Sequence, residues 1–282
     1  MTHDVTPQEE VAQVPAEHGR GAAFFDLDRT LMAGSSGLYW ARAARGAGLL
    51  TRRRIARYGW ENVKFRLRGS TDQATDRVRR EVGEMISGQR VVDMQRLAPK
   101  VLAGVLPRLY PQMLEVAHAH QDAGRPVYIC TAASQEMAEM LAHVLSFDGA
   151  LGARSEVVDG HYTGRAAGPF TYREGKAVAM RELAAAEGID LAASYAYSDS
   201  GSDLPMLRTV GHPVVVNPDA ELRRVAREEG WRVMRFERLR RRLFVAGGAV
   251  AALALGTGAR AALLRRRQPP PTARLRRAVV RR

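Results

Sequence analysis

The chain has 282 residues, of which 46% are hydrophobic, and a formal net charge of +13. This length admits one large domain or two small ones with a sizeable core. The single cysteine, Cys130, excludes an internal disulfide, favours a reduced compartment and is expected to pack in the core. Residues 235–282 hold fourteen arginines and one acid and so carry the whole net charge. Residues 1–234 are neutral, which argues against a nucleic-acid groove on them.

The first twenty residues are polar, mixed in charge and without an apolar run. A signal peptide needs such a run, and a segment this polar buries little apolar surface. We therefore predict a disordered N-terminal tail over residues 1–20 and a cytoplasmic location for the folded body that follows it.

A short apolar run ends in two aspartates, since residues 22–32 read AAFFDLDRTLM. The run is typical of a central strand in a parallel sheet, and ligands bind such sheets at the carboxyl ends of the strands. Two carboxylates there are costly to bury unless a metal or a reaction compensates them. Asp26 and Asp28 are therefore candidate catalytic residues. The alternative is that Asp26 caps a turn and Asp28 points to solvent.

Three later segments place further polar side chains at strand ends or at a helix start. A second predicted strand ends in Thr131. Lys176 lies at the start of a helical pattern. A third predicted strand ends just before Asp199, and Asp203 follows one helical turn later.

The rest of the chain divides into a helical insertion, an alternating region and a basic tail. Helical patterns cover residues 51–68 and 72–86. Beyond residue 107 the predicted helices are 112–123, 135–145, 176–187 and 220–229, and the predicted strands are 127–131, 194–198 and 214–216. Asp159-Gly160 predicts a hairpin turn. Strands that alternate with helices predict an α/β fold with a three-layer parallel sheet.

The order of the motifs, an acid pair, a hydroxyl, a lysine and a second acid pair, resembles the haloacid dehalogenase (HAD) superfamily. The stretch FFDLDRTL, the run from Ser198 to Leu207 and the VNPD run from Val216 are similar to its subclass IB, which includes phosphoserine phosphatases. The resemblance covers residues 21–234. It implies a HAD-like, Rossmannoid catalytic core over residues 21–32 and 107–234, with a helical cap inserted at residues 33–106.

The resemblance also implies the chemistry of the site. Asp26 would attack phosphorus and form an aspartyl-phosphate. Asp28 would protonate the leaving oxygen and then activate the water that hydrolyses the intermediate. Thr131 and Lys176 would bind the phosphoryl oxygens of the substrate.

The resemblance further implies a bound magnesium ion. Its ligands would be the Asp26 carboxylate, the Asp28 main-chain carbonyl and the Asp199 carboxylate. Asp203 would orient these ligands from outside rather than bind the metal. The expected function is a Mg²⁺-dependent phosphomonoester hydrolase, a phosphatase, acting on a small phosphorylated metabolite.

One position departs from the phosphoserine-specific pattern. Those enzymes carry a glutamate nine residues after the nucleophile, and this chain has Ser35 there. The chemistry is unaffected, but the substrate's ammonium group loses that partner. A dedicated phosphoserine phosphatase of serine biosynthesis is therefore the alternative rather than the leading hypothesis.

The tail contains an apolar segment over residues 243–264, interrupted by Arg260 and bracketed by arginine clusters. Its uncharged part is at the short limit for a membrane span, which needs about 17–25 residues, and basic residues near it attract anionic lipid. We predict that residues 238–267 associate with an anionic membrane surface, by insertion or by lying on it. A further alternative is a membrane-bound protein whose basic tail, residues 235–282, is the functional part.

Overall fold

The sheet forms where the sequence places its apolar runs. A computed structural model of the protein describes residues 3–13, 21–50 and 72–236. The strands within these residues are β1 His3–Val5, β2 Ala23–Phe25, β3 Val127–Ser134, β4 Gly149–Ala153, β5 Ser155–Val158, β6 His161–Ala166, β7 Tyr195–Ser198, β8 His212–Val216 and β9 Arg232–Met234. Seven of them run parallel in one sheet, in the order β1-β9-β8-β7-β2-β3-β4. Strands β5 and β6 pair with each other as an antiparallel hairpin.

Helices follow the predicted strands in an alternating order. Those in the described residues are α1 Pro7–Gln13, α2 Ser36–Gly46, α3 Asp72–Ile86, α4 Val91–Gln95, α5 Ala98–Val105, α6 Pro111–Asp122, α7 Gln135–Val144, α8 Glu174–Glu187, α9 Leu204–Leu207 and α10 Ala220–Glu228. Short 3₁₀ turns lie at Leu106–Arg108, Leu191–Ala193 and Gly201–Asp203. The helix predicted over residues 72–86 and the four predicted beyond residue 107 are confirmed. The helix predicted over residues 51–68 lies outside the described residues.

Both faces of the sheet are covered by helices. Successive side chains of a strand point to opposite faces, and strand β2 shows the result. Phe25 belongs to one buried cluster with Met113 of α6 and Leu141 of α7, whereas Phe24 belongs to a second cluster with Met180 of α8. Each buried aromatic ring contributes about 1.5–3 kcal/mol of hydrophobic stabilisation. The predicted three-layer parallel α/β fold is confirmed.

The N-terminal segment is ordered, so the prediction of disorder over residues 1–20 is wrong for residues 3–13. Strand β1 pairs in parallel with β9 at the end of the sheet, and helix α1 places the fully buried Glu10 in the core. The Tyr197 hydroxyl donates to Glu10 Oε1 at 2.9 Å and lies 2.9 Å from His120 Nε2. Arg232 lies 3.1 Å from Glu10 Oε2. The composition of the first twenty residues does not reveal this burial, because the partners of Glu10 come from distant parts of the chain.

The hairpin of β5 and β6 has the predicted turn, in which Asp159 and Gly160 have positive φ values of 49° and 74°. It is attached to the helical insertion, because residues 88–91 hydrogen-bond to it through main-chain atoms. Helix α3 also approaches it closely. A Cβ on Gly83 would lie 2.2 Å from the carbonyl oxygen of Gly164, so only glycine fits at that contact.

Among the described helices, none combines the length and the apolar character that a membrane crossing requires. The apolar segment over residues 243–264 lies outside the described residues, and its association with a membrane stays a prediction.

Candidate active site

The carboxyl ends of three neighbouring strands meet at one edge of the sheet. Strand β2 lies between β3 and β7, and its last residue pairs in register with Ile129 and Tyr197. The next residue, Asp26, continues the pairing, because its main-chain N–H donates to the Tyr197 carbonyl at 3.0 Å. Asp26, Thr131 and Asp199 therefore all lie at the same edge.

Lys176 links two buried carboxylates at this edge. It lies in the first turn of α8, with its Nζ 2.6 Å from Asp26 Oδ1 and 2.7 Å from Asp203 Oδ2. The Ser198 hydroxyl also donates to Asp203 Oδ2, at 2.7 Å. Burial alone would lower the pKa of Lys176, but the two carboxylates outweigh it and hold the pKa above its ordinary value. The lysine is therefore a permanent cation between two acids.

Asp26 is less easily ionised than an ordinary aspartate. Burial raises its pKa to about 7, and the ammonium of Lys176, which lowers the pKa, offsets only part of that effect. The charges of Asp203 and Asp28 add to the rise. Full ionisation of Asp26 at neutral pH thus calls for more positive charge than the lysine supplies.

Asp199 also lies in surroundings that disfavour its ionisation. Its side chain is 4% exposed, and burial, followed by the charge of Asp26, raises its pKa to about 8. Arg29 Nε lies 3.2 Å from Asp199 Oδ2. The two groups form an ion pair without hydrogen-bond geometry, so this oxygen has no hydrogen-bond donor among the described residues.

Asp28 is held in one orientation at the start of α2. Its Oδ2 accepts from the Ser35 hydroxyl at 2.8 Å, and its Oδ1 accepts from the main-chain N–H of Ser36 at 2.8 Å. The side chain is half-buried, unlike that of Asp26. The two aspartates of the first motif therefore have different surroundings, one buried against a lysine and one facing a helix start.

Thr131 lies within β3 and is buried. Its hydroxyl accepts from the Ala133 N–H at 3.2 Å and, among the described residues, makes no hydrogen bond to the lysine–carboxylate cluster. Cys130 beside it is free and fully buried, as expected, and burial raises the pKa of its thiol to about 12.

Most of the chain matches a known protein family. Residues 23–208 match the family model of haloacid dehalogenase-like hydrolases. The chain belongs to the haloacid dehalogenase-like hydrolase family. This confirms the family and the enzyme class expected from the motifs, a phosphatase of the HAD type.

Relatives of this HAD hydrolase cover most of its length. A probable phosphatase of Mycobacterium tuberculosis is 40% identical over 224 residues, which span 79% of this chain and 78% of that protein. Phosphoserine phosphatase SerB1 of the same organism is 40% identical over 248 residues, or 86% of this chain and 79% of that protein. A solved structure of a protein with unknown function from Bordetella pertussis superposes with a TM-score of 0.66 at 29% identity. It covers 76% of this chain and 98% of its own.

The structure of the HAD hydrolase brings together most of the side chains that the sequence singled out. Lys176 contacts both Asp26 and Asp203, and the charge of Asp26 acts on Asp199. Sequence reasoning missed the contacts of three further residues: Arg29, Ser35 and Ser198. All three are adjacent to, or a few residues from, a motif aspartate, so proximity in sequence was the available signal.

The donor set suits a magnesium ion. Asp199 Oδ2 is buried without a hydrogen-bond donor, and two carboxylates at separate strand ends have raised pKa values. A divalent cation held by both carboxylates would relieve both conditions, and Mg²⁺ prefers such oxygen ligands. Within the described residues, no three His, Cys, Asp or Glu side chains are arranged to hold a metal. A site of two carboxylates and one main-chain carbonyl does not require such a trio.

Proposed function

We propose that this protein is a Mg²⁺-dependent phosphomonoester hydrolase that forms an aspartyl-phosphate on Asp26 during hydrolysis of a small phosphorylated metabolite. The observation that carries the proposal is the buried bridge of Lys176 between Asp26 and Asp203. A lysine fixed beside a buried carboxylate at a strand end supplies the positive charge that phosphoryl transfer needs. Membership of the HAD family supports the same chemistry.

Asp26 acts as the nucleophile. One carboxylate oxygen forms a bond to phosphorus, and the bond from phosphorus to the leaving oxygen breaks. Water then hydrolyses the aspartyl-phosphate and restores the carboxylate. Lys176 and Thr131 bind the phosphoryl oxygens during both steps, and burial of the lysine strengthens its electrostatic effect because water does not screen it.

Asp28 moves the protons. It gives one to the leaving oxygen in the first step and takes one from the attacking water in the second. The hydrogen bonds from Ser35 and from the Ser36 main chain fix the carboxyl group in a single orientation for both transfers. An acid that must serve two steps benefits from being held in place.

The magnesium ligands in this proposal are the carboxylates of Asp26 and Asp199 and the main-chain carbonyl of Asp28. When bound, the ion neutralises charge on the phosphoryl group and on the carboxylates around it. Asp203 supports the site indirectly, because it accepts hydrogen bonds from Lys176 and Ser198 and so fixes the lysine.

The position of the insertion supports the division into domains that we propose. We assign residues 21–32 and 107–234 to the catalytic core and residues 33–106 to a cap that selects the substrate. Helices α2 to α5, which belong to this insertion, lie between β2 and β3 in the chain. The insertion therefore lies in the segment that connects two strands carrying site residues.

An assay on an aryl phosphate tests the proposal. Purified protein should release phosphate in Mg²⁺, and excess EDTA should abolish that release. Asp26→Asn, which keeps the shape of the side chain but removes the nucleophile, should be inactive while its circular dichroism spectrum matches the wild type. Full activity in EDTA, or an Asp26→Asn variant at wild-type rate, would overturn the mechanism.

Phosphoserine phosphatase is the second candidate, because the 40% identical Mycobacterium tuberculosis relative carries that name. In this chain the position of the expected glutamate is Ser35, whose hydroxyl is engaged with Asp28 rather than free for a substrate ammonium. We expect L-phosphoserine to be one of several substrates in a panel of phosphorylated metabolites. A kcat/KM for phosphoserine far above all others would establish the second candidate instead.

A further inference from the structure

Arg29 lies between the two motif residues Asp28 and Thr30 in an uncommon backbone conformation. Its φ is 66°, in the left-handed region that residues other than glycine and asparagine rarely adopt. Its side chain is 44% exposed, yet Nε lies 3.2 Å from the buried Asp199 Oδ2. The exposed side chain of Arg29 therefore forms an ion pair with a buried carboxylate.

That carboxylate is otherwise short of positive charge. Asp199 Oδ2 has no hydrogen-bond donor within the described part of the chain, and Asp26 adds a second negative charge nearby. A buried charge without compensation is strongly destabilising. Arg29 is the cation that the structure places on Asp199, whereas Lys176 is engaged with Asp26 and Asp203.

We infer that Arg29 competes with Mg²⁺ for the Asp199 carboxylate. The inference rests on the proposed function, in which Asp199 is a magnesium ligand. A guanidinium beside a carboxylate repels a divalent cation that binds the same carboxylate, so Arg29 opposes magnesium binding. The exposed side chain and the absence of hydrogen-bond geometry allow Arg29 to leave at little cost.

Arg29 therefore weakens magnesium binding and stabilises the metal-free fold. Ion pairs with one exposed partner are modest in strength, so its removal should tighten Mg²⁺ binding by about two- to fivefold. Removal should also lower the thermal midpoint of the metal-free protein, because Asp199 loses its cation. It should leave the Mg²⁺-saturated midpoint unchanged, since the metal then supplies that charge.

Isothermal titration calorimetry with Mg²⁺ and thermal unfolding with EDTA or saturating Mg²⁺ test this on the full chain. Arg29→Asn removes the cation and tolerates the left-handed backbone, and Arg29→Gly repeats the test with the residue best suited to that φ. Arg224→Asn is the matched control, because it removes an exposed arginine that pairs with Glu228 at 2.9 Å on α10. The control should keep the wild-type magnesium Kd.

The outcomes separate the inference from the proposed function. Tighter Mg²⁺ binding in both Arg29 variants, with a lower midpoint only in EDTA, supports the inference. An unchanged or weaker Kd in both variants, or an equal loss of midpoint with and without Mg²⁺, overturns it and leaves the proposed function intact. Wild-type protein that binds no Mg²⁺ would overturn the magnesium assignment itself, and the inference with it.

Discussion

Replacement of Lys176 by methionine should separate its electrostatic role from its packing role, because methionine has a similar length and no charge. In the structure the lysine side chain is 3% exposed, and its ammonium contacts Asp26 and Asp203 at 2.6 and 2.7 Å. Removing one partner of a buried ion pair costs about 3–5 kcal/mol, a large part of the 5–15 kcal/mol by which domains are typically stable. Loss of one group that stabilises charge in the transition state should also lower kcat by about 10²–10³-fold.

The stability loss should depend on pH in a defined direction. The pKa of Asp26 is about 7 in the folded wild type, above its ordinary 3.8, and Lys176 lowers it. An acid with a raised folded pKa binds more protons when folded, so stability falls as pH rises from 3.8 through the folded pKa. Without the lysine that pKa rises further, and each additional unit costs about 1.4 kcal/mol above pH 7. The deficit of the variant should thus be larger at pH 8.5 than at pH 6.

Urea unfolding in EDTA at both pH values measures this deficit. Lys100→Met, at an exposed position on α5, is the matched control and should remain close to wild type. A Lys176→Met variant with the same deficit at both pH values would show that the lost stability comes from packing. A variant as stable as the wild type at pH 8.5 would refute the electrostatic reasoning entirely.

Three further changes test individual contacts. Asp199→Ala should raise the Mg²⁺ concentration for half-maximal activity at least about tenfold, because a carboxylate ligand is lost; an unchanged magnesium titration would remove Asp199 from the site. Ser35→Ala should lower kcat about tenfold at similar KM, since it deletes a hydrogen bond to a charged acid worth about 1.5–3 kcal/mol; steady-state kinetics at the wild-type kcat would contradict this. Tyr197→Phe should cost about 2–4 kcal/mol in urea unfolding, because it leaves two buried polar groups without their shared hydroxyl; a neutral effect would mean that water replaces it.

Much of the fold was predictable because its signals are local in sequence. The apolar run before Asp26 has the length and composition of a central parallel strand, and the glycine after α6 marks the end of that helix, with φ 70° at Gly124. Placing Asp26 and Asp199 at one edge followed from a single rule, that neighbouring parallel strands end together. The roles assigned to these residues stay predictions until they are assayed.

The contacts that the sequence did not reveal depend on residues far apart in the chain. Glu10 is buried because Tyr197 and Arg232 meet it, and composition alone treats such a glutamate as exposed. The bridge from Lys176 to Asp203 likewise depends on how α8 lies against the end of β7. Arg29 lies inside the first motif, but only the three-dimensional structure shows its contact with Asp199.

The pairing of β1 with β9 also has a consequence for aggregation. A strand at the edge of a sheet exposes unpaired N–H and C=O groups that can recruit other chains. In a protein shortened to begin at residue 21, β9 would lose its β1 partner and expose Arg232–Met234 along the sheet edge. Two of those residues, Val233 and Met234, are fully buried when β1 is present. Strand β1 thus covers β9 and leaves at the end of the sheet a three-residue strand with a charged side chain, Asp4, which is a poor template for further pairing.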